Sequence, residues 1–320
     1  MKNILRKTAL AAALALPLAA SADPILFDMN GGGDSYTTVD VLDWTVGNAL
    51  AVNGNPSTGL VGGTPTTGSQ TQLLYQANLG IVSLGGATVG TAGANGAQNF
   101  TVVAGFNEYV KVFAGGFVNF GLNDGLFRDS SNYFFVYANT VGSNLAGTGF
   151  VGGTVVMSGY ISQVLSSNYF SDGSIGLFDQ FDGGTILGGD DYAGKQSLIG
   201  SGTTDVNVTI DGYDSKYFSG INIGQILALA FTNTSNLTPF RQADPSRLFS
   251  SDGETDGDFA SNIGTINGVT EATTRNFQFQ ADGSSSFRTT SVPEPGSLAL
   301  VGLALGAVGF VSRRRSSKKA

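Results

Sequence analysis

The chain has 320 residues, room for one large domain or two small ones. It holds 47 glycines, only 12% charged residues, and no histidine or cysteine, which excludes His-dependent triads, HExxH zinc sites, disulfides and thiolate chemistry. Aromatics at 10% are too many for a disordered chain, and between residues 23 and 292 eight basic residues face 23 acidic ones, a net −15 that argues against nucleic acid as a partner.

In chain order, residues 1–22 read as a secretory signal helix. Lys2, Arg6 and Lys7 form a basic start, and an apolar run follows from Ala9 to Ala20. Ala20-Ser21-Ala22 is a small-x-small cleavage site before Asp23. The run is too short for a bilayer core of ~30 Å. An uncleaved N-terminal anchor is the alternative.

The body then alternates apolar and polar residues in short segments bounded by Gly, Asn, Asp or Ser, the signature of strands. Tyr36–Trp44 places Val39, Val41 and Trp44 near one buried edge. Asn99–Val112 reads as a strand carrying Phe100, Val102, Tyr109 and Val112, interrupted at Gly105-Phe106-Asn107. Gly115-Gly116 reads as a tight turn before Phe117–Leu122, and Ser131–Val141 and Val151–Val164 read as long strands. Asp205–Asp211 aligns Val206, Val208 and Ile210 on one face. Ile221–Phe231 fits a helix or a buried strand equally well, and Arg275–Ala281 puts Phe277 and Phe279 opposite Gln278 and Gln280. Leu50–Gly68, Gly85–Gly96 and residues 172–203 read as Gly-rich loops or loops with short apolar islands. There is no repeat of solenoid or propeller period. The expected fold is all-β, an antiparallel β-sandwich-like domain with long Gly-rich loops.

Candidate chemistry is sparse. Asp252, Glu254 and Asp256, followed by Gly257, match the first half of a D-x-D-x-D-G calcium loop. Alternating oxygen ligands suit a hard cation, but the twelfth position is Ile263 rather than a bidentate Glu. A loose Ca²⁺ site and a solvated acidic loop are the two readings. The stretch Asp28–Asp34 and the pair Asp190-Asp191 are weaker sites of the same kind. Paired carboxylates also run glycoside hydrolysis, yet nothing in the sequence sets two at a catalytic distance. The glycine pairs at 183–184 and 188–189 lead into no Gly-Lys-Ser/Thr, so they read as turns. Tyr133-Phe134-Phe135, Tyr169-Phe170 and Tyr217-Phe218 are either core aromatics or a sugar-stacking platform.

The C-terminus has three parts. Val292-Pro293-Glu294-Pro295 is followed by 14 uncharged residues, Leu298–Val311, and then by Arg313-Arg314-Arg315. The prolines stop preceding structure and leave an extended segment for a peptidase. The apolar run inserts transiently in the inner membrane, and the arginines halt transfer on the cytoplasmic side. A plain membrane tail is the alternative.

This tail resembles the PEP-CTERM sorting signal of Gram-negative, exopolysaccharide-producing bacteria. The resemblance implies processing by an exosortase-type membrane protease near Pro293–Pro295, then release to or attachment at the outer surface. Within that cargo the body resembles the flocculation-associated group, through Asn107-Glu108-Tyr109, Asn276–Asp282 and Ser286-Phe287. That likeness implies a role in cell aggregation, with exopolysaccharide or a neighbouring cell surface as partner. The organisation is then a signal peptide over 1–22, an extracellular domain over 23–291 and a sorting signal over 292–320. The expected function is that of an exported, non-enzymatic surface or matrix protein with no cofactor beyond a candidate Ca²⁺. The rival is a secreted carbohydrate-binding or carbohydrate-active domain. An exposed aromatic row beside clustered acids favours the rival; buried aromatics and no acidic cleft favour the first.

Overall fold

The computed structural model describes residues 24–52, 68–114, 117–123, 127–144, 146–178, 192–233, 265–269 and 277–288. Among them all regular structure is strand, and every pairing between strands is antiparallel. The all-β antiparallel expectation holds. Compactness divides the chain into a unit ending at Arg288 and a second from Thr289 onward, which lies outside the described residues.

Alternation alone does not reveal that the pairing closes on itself. Eight strands form a ring: β3 (Val41–Val52), β4 (Gln70–Leu84), β6 (Phe100–Ala114), β8 (Tyr133–Ala138), β9 (Thr154–Phe178), β10 (Tyr192–Tyr213), β12 (Ile226–Asn233) and β13 (Phe277–Arg288). Each bonds to the next in that order, and β13 returns to β3. The two packed layers expected of half-apolar strands are opposing walls of this ring. Closure removes the unpaired edges that make open sheets prone to association.

Two short strands complete the walls. β8 covers only the first half of β6, and β7 (Phe117–Leu122) continues the wall between β6 and β9. In the gap between β7 and β8, Asn132 imitates a ladder rung. Its amide donates to the Ile161 carbonyl at 2.9 Å and accepts from the Ile161 N–H at 2.8 Å. β5 (Ala87–Thr91) pairs with the far end of β4, after a turn at Gly85-Gly86.

Inward positions are apolar and close-packed. Trp44, Tyr75, Val102, Phe134, Met157, Val208, Leu229 and Phe287 come from eight different strands of one buried cluster. An eight-stranded ring has an interior just wide enough for side chains to fill, so the centre is a core and not a channel. Ser285 occupies an inward position because its hydroxyl accepts the Trp44 indole N–H at 2.8 Å.

A three-stranded sheet caps one end: β2 (Thr37–Val39), β1 (Ile25–Phe27) and β11 (Phe218–Ser219), with β1 central. Phe27 stacks on Phe218 with ring centroids 4.6 Å apart and meets Phe100 edge-on at 5.1 Å. These rings seal the core at that end. The last described residue, Arg288, stands opposite Ile226 at the same end.

Two loops fold over the outside of β3, β4 and β6. The Asn78 amide exchanges two hydrogen bonds with the Gly142 backbone, at 2.9 and 2.8 Å, and Asn48 donates to the Asn144 carbonyl at 2.7 Å. The turn Ile266-Asn267-Gly268-Val269 has positive φ at both central residues, the Asn-Gly type I′ signature. Gln76 clamps it through the Thr265 carbonyl and the Asn267 N–H, at 3.0 and 2.9 Å. Beneath it Ile266 packs with Leu50 and Leu74 in a second, outer apolar cluster.

Several strands differ from their sequence reading. Val39, Leu42 and Trp44 are buried while Val41 is only partly so, because the chain passes from the cap into the ring at Asp40. β6 runs unbroken through Gly105-Phe106-Asn107, with Phe106 in the core and Gly105 beneath the Tyr133 ring. Val112, expected on its apolar face, is half exposed.

Candidate functional site

Most sites expected from the sequence lie outside the described residues. These are the cleavage site at Ala20, Ala22 and Asp23, the acidic loop with Asp252, Glu254 and Asp256, and the pair Asp190-Asp191. The motif Val292–Pro295 and the arginines 313–315 lie outside them too.

Asp28–Asp34 is described, and its chemistry is structural. Asp28 is fully buried. Its Oδ1 accepts from the Asn30 N–H at 2.9 Å, and its Oδ2 accepts from the N–H groups of Gly33, Asp34 and Ser35 at 2.7, 3.2 and 3.3 Å. Burial pushes this carboxyl up, and the four donors outweigh it, so its pKa lies below the ordinary value. The carboxylate thereby closes its own turn. Among the described residues no group of three metal-ligating side chains gathers.

Elsewhere the outer face of the ring carries polar pairs that cross between strands. Along β9 and β10, Ser158 donates to Asp211 at 2.6 Å, Ser166 to Asp205 at 2.9 Å and Asn168 to Thr203 at 3.1 Å. The close-packed apolar interior is unlike the polar lumen of a lipid-facing barrel. Among the described residues no helix is long and apolar enough to cross a membrane. A shallow groove of about 280 Å³ crosses the outside of β10, β12 and β13, over Ala228, Ala230, Ser284 and Ser286. Its lining includes a single carboxylate, Asp205, so the groove does not offer the paired acids of glycoside hydrolysis.

The aromatic clusters divide. Tyr217 and Phe218 are core, and Phe170 is half exposed. On β8 the alternation splits the cluster, Phe134 and Val136 pointing inward while Tyr133, Phe135 and Tyr137 stay partly exposed on the outer face. Successive ring centroids in that row are 6.1 Å apart. Arg128 places its guanidinium 5.2 Å from the Phe135 centroid and bonds Asp211 at 3.3 Å. Burial raises the pKa of Tyr133 and Tyr137, so both phenols stay protonated at neutral pH. The sequence named this cluster but did not separate its two faces; the period of two in Tyr133-x-Phe135-x-Tyr137 was the available signal.

A family model described as the PEP-CTERM protein-sorting motif matches residues 291–315. The chain thus carries a PEP-CTERM sorting signal, which implies export, processing by an exosortase-type membrane protease, and an extracellular or surface location. No curated protein and no solved structure matches the chain.

Proposed function

We propose that this is a non-enzymatic surface or matrix protein that holds cells together within exopolysaccharide at a Gram-negative cell surface. The observation that carries the reading is a closed ring with a filled apolar interior, borne on a chain with a sorting motif. Such a body presents surface rather than a cleft. Trp44, Tyr75 and Phe106 are buried in its core, as a structural role expects. The tail is cut near Pro293–Pro295, and the body is released or attached outside. The outer row on β8 favours a carbohydrate-binding role within the same reading, rather than a separate enzymatic one.

Deleting the gene, with exopolysaccharide quantified separately, tests the proposal. The expected result is loss of cell aggregation at unchanged exopolysaccharide yield. Normal aggregation in the deletion strain contradicts it.

A further inference from the structure

We infer that the outer face of β8, centred on Phe135 and Tyr137, is a contact surface for a neutral polysaccharide. This rests on the proposed role in an exopolysaccharide matrix and names the part of the molecule that would touch it.

Three aromatic side chains share the outward face of one strand and remain partly exposed. Beside Phe135 the outward positions are Ser158 on β9 and Asp211 on β10, so the row is an apolar strip with a polar flank. Val155, opposite Tyr137 on β9, is 44% exposed and widens the strip. A sugar ring is amphipathic, with C–H faces that suit aromatic surface and a rim of hydroxyls that needs donors and acceptors.

The accessible partners are the Arg128 guanidinium and the Asp211 carboxylate, while Ser158 is buried and only anchors Asp211. Phe135 sits opposite Ser158 on β9, Ser158 donates to Asp211 on β10, and Arg128 bridges back over the Phe135 ring to Asp211. The guanidinium retains free N–H donors, since a single nitrogen meets the carboxylate. The protonated Tyr137 phenol adds a donor at the far end.

Charge selects the class of glycan. Arg128 is already neutralised by Asp211, and the body carries a net −15 between residues 23 and 292. A polyanionic chain gains nothing here and is repelled. A neutral one meets ring faces and hydrogen-bonding groups without that cost. Tyr133, by contrast, is committed to the fold, since its hydroxyl accepts from Asn267 at 3.0 Å.

The test is affinity electrophoresis of the mature exported protein through gels containing hydroxyethylcellulose or the neutral fraction of the culture's exopolysaccharide. The double variant Phe135→Leu, Tyr137→Leu keeps apolar bulk and removes the rings. Retardation should fall at least about tenfold, the scale of lost aromatic contacts. The buried Trp44 reports the fold through its fluorescence, which should not change. Phe117→Leu, an exposed aromatic elsewhere, should bind as the parent does. Unretarded parent protein overturns the inference, as does a double variant that binds normally. Loss of binding through Arg128→Ala and salt alone, with the rings dispensable, overturns it too. So does a row whose substitution abolishes self-association in sedimentation but leaves glycan binding intact. In the deletion strain, aggregation restored fully by the double variant removes only this surface. Aggregation that never depended on the gene removes the functional reading itself.

Discussion

The two outer faces of the ring follow the same alternation and come to opposite ends. Over β3, β4 and β6 the outward residues are buried by docked loops, and the sequence there supplies amides and leucines. Asn48 and Gln76 are almost fully buried, and Leu50 and Leu74 share a cluster with Ile266. Over β9 and β10 the outward residues include Ser, Asn, Gln and Asp side chains that pair across the strands, with exposed Val155 and Leu165 among them. Gln76 and Asn78 suit the covered face because each amide bonds a backbone donor and a backbone acceptor of a docking loop at once. Hydroxyls and carboxylates suit the open face because water supplies whatever partner the strand does not. The covered face adds stability, and the open face is the one free to meet the surroundings.

The largest effect should come from the apolar floor of the covered face. Leu74→Ala removes a buried side chain from beneath the 265–269 turn and should cost about 2–5 kcal/mol in denaturant unfolding. Leu165→Ala, 47% exposed on the open side, should stay within about 0.5 kcal/mol. Equal losses at the two positions would erase the contrast between the faces.

The clamp comes next. Gln76→Ala leaves the Thr265 carbonyl and the Asn267 N–H without their partner, at a cost of about 1–3 kcal/mol. Amide exchange at Asn267 should rise with it. Unchanged exchange there would mean that the apolar contacts hold the turn without the amide.

Two aspartates should give acid responses of opposite sign. Asp28 has a folded pKa below its ordinary value of 3.8, so its contribution is present above that value and is lost as pH falls through the folded pKa. Asp28→Asn should therefore flatten the acid limb of a melting-temperature profile below about pH 4. Asp43 is pushed up by burial and by the neighbouring Asp282 charge, so the folded state takes up its proton first and gains stability as pH falls toward 3.8. Asp43→Asn should remove that gain. Parallel shifts in the two variants would contradict the assignment.

The smallest effect belongs to the open face, where Ser166→Ala loses one hydrogen bond to Asp205 beside solvent. Its unfolding free energy should change by less than about 0.5 kcal/mol.

The same contrast explains what could be read from the sequence. Phe117–Leu122 is read with its true bounds, and Val206, Val208 and Ile210 point inward as expected, because their strands have one wet face and one dry one. Ile221–Phe231 was open between helix and strand. The structure makes its second half strand, β12 from Ile226, after turn and coil over 221–225, with Leu227 and Leu229 in the core and small Ala228 and Ala230 on the groove side, between partners β10 and β13. β4 gave no signal. Its run QTQLLYQANLGIVSL buries Leu73, Tyr75 and Ala77 inside and Leu74 and Gln76 beneath the docked turn, so both faces are dry and the alternation disappears. β5 was hidden in a Gly-rich stretch expected to be loop. Ring closure was not legible at all, since it depends on β13 meeting β3 across more than two hundred residues. At the candidate surface the aromatic residues were visible as a cluster. Arg128 over Phe135 was not, because the chain reaches that ring from a loop and not along the strand.

The intact mass of the exported protein tests most directly whether this body is delivered outside the cell and parted from its sorting tail. The expected mass corresponds to a chain that starts at Asp23 and ends near Pro295, within the motif matched at residues 291–315. Recovery of the peptide around Val311–Arg315 in the exported form would contradict the account.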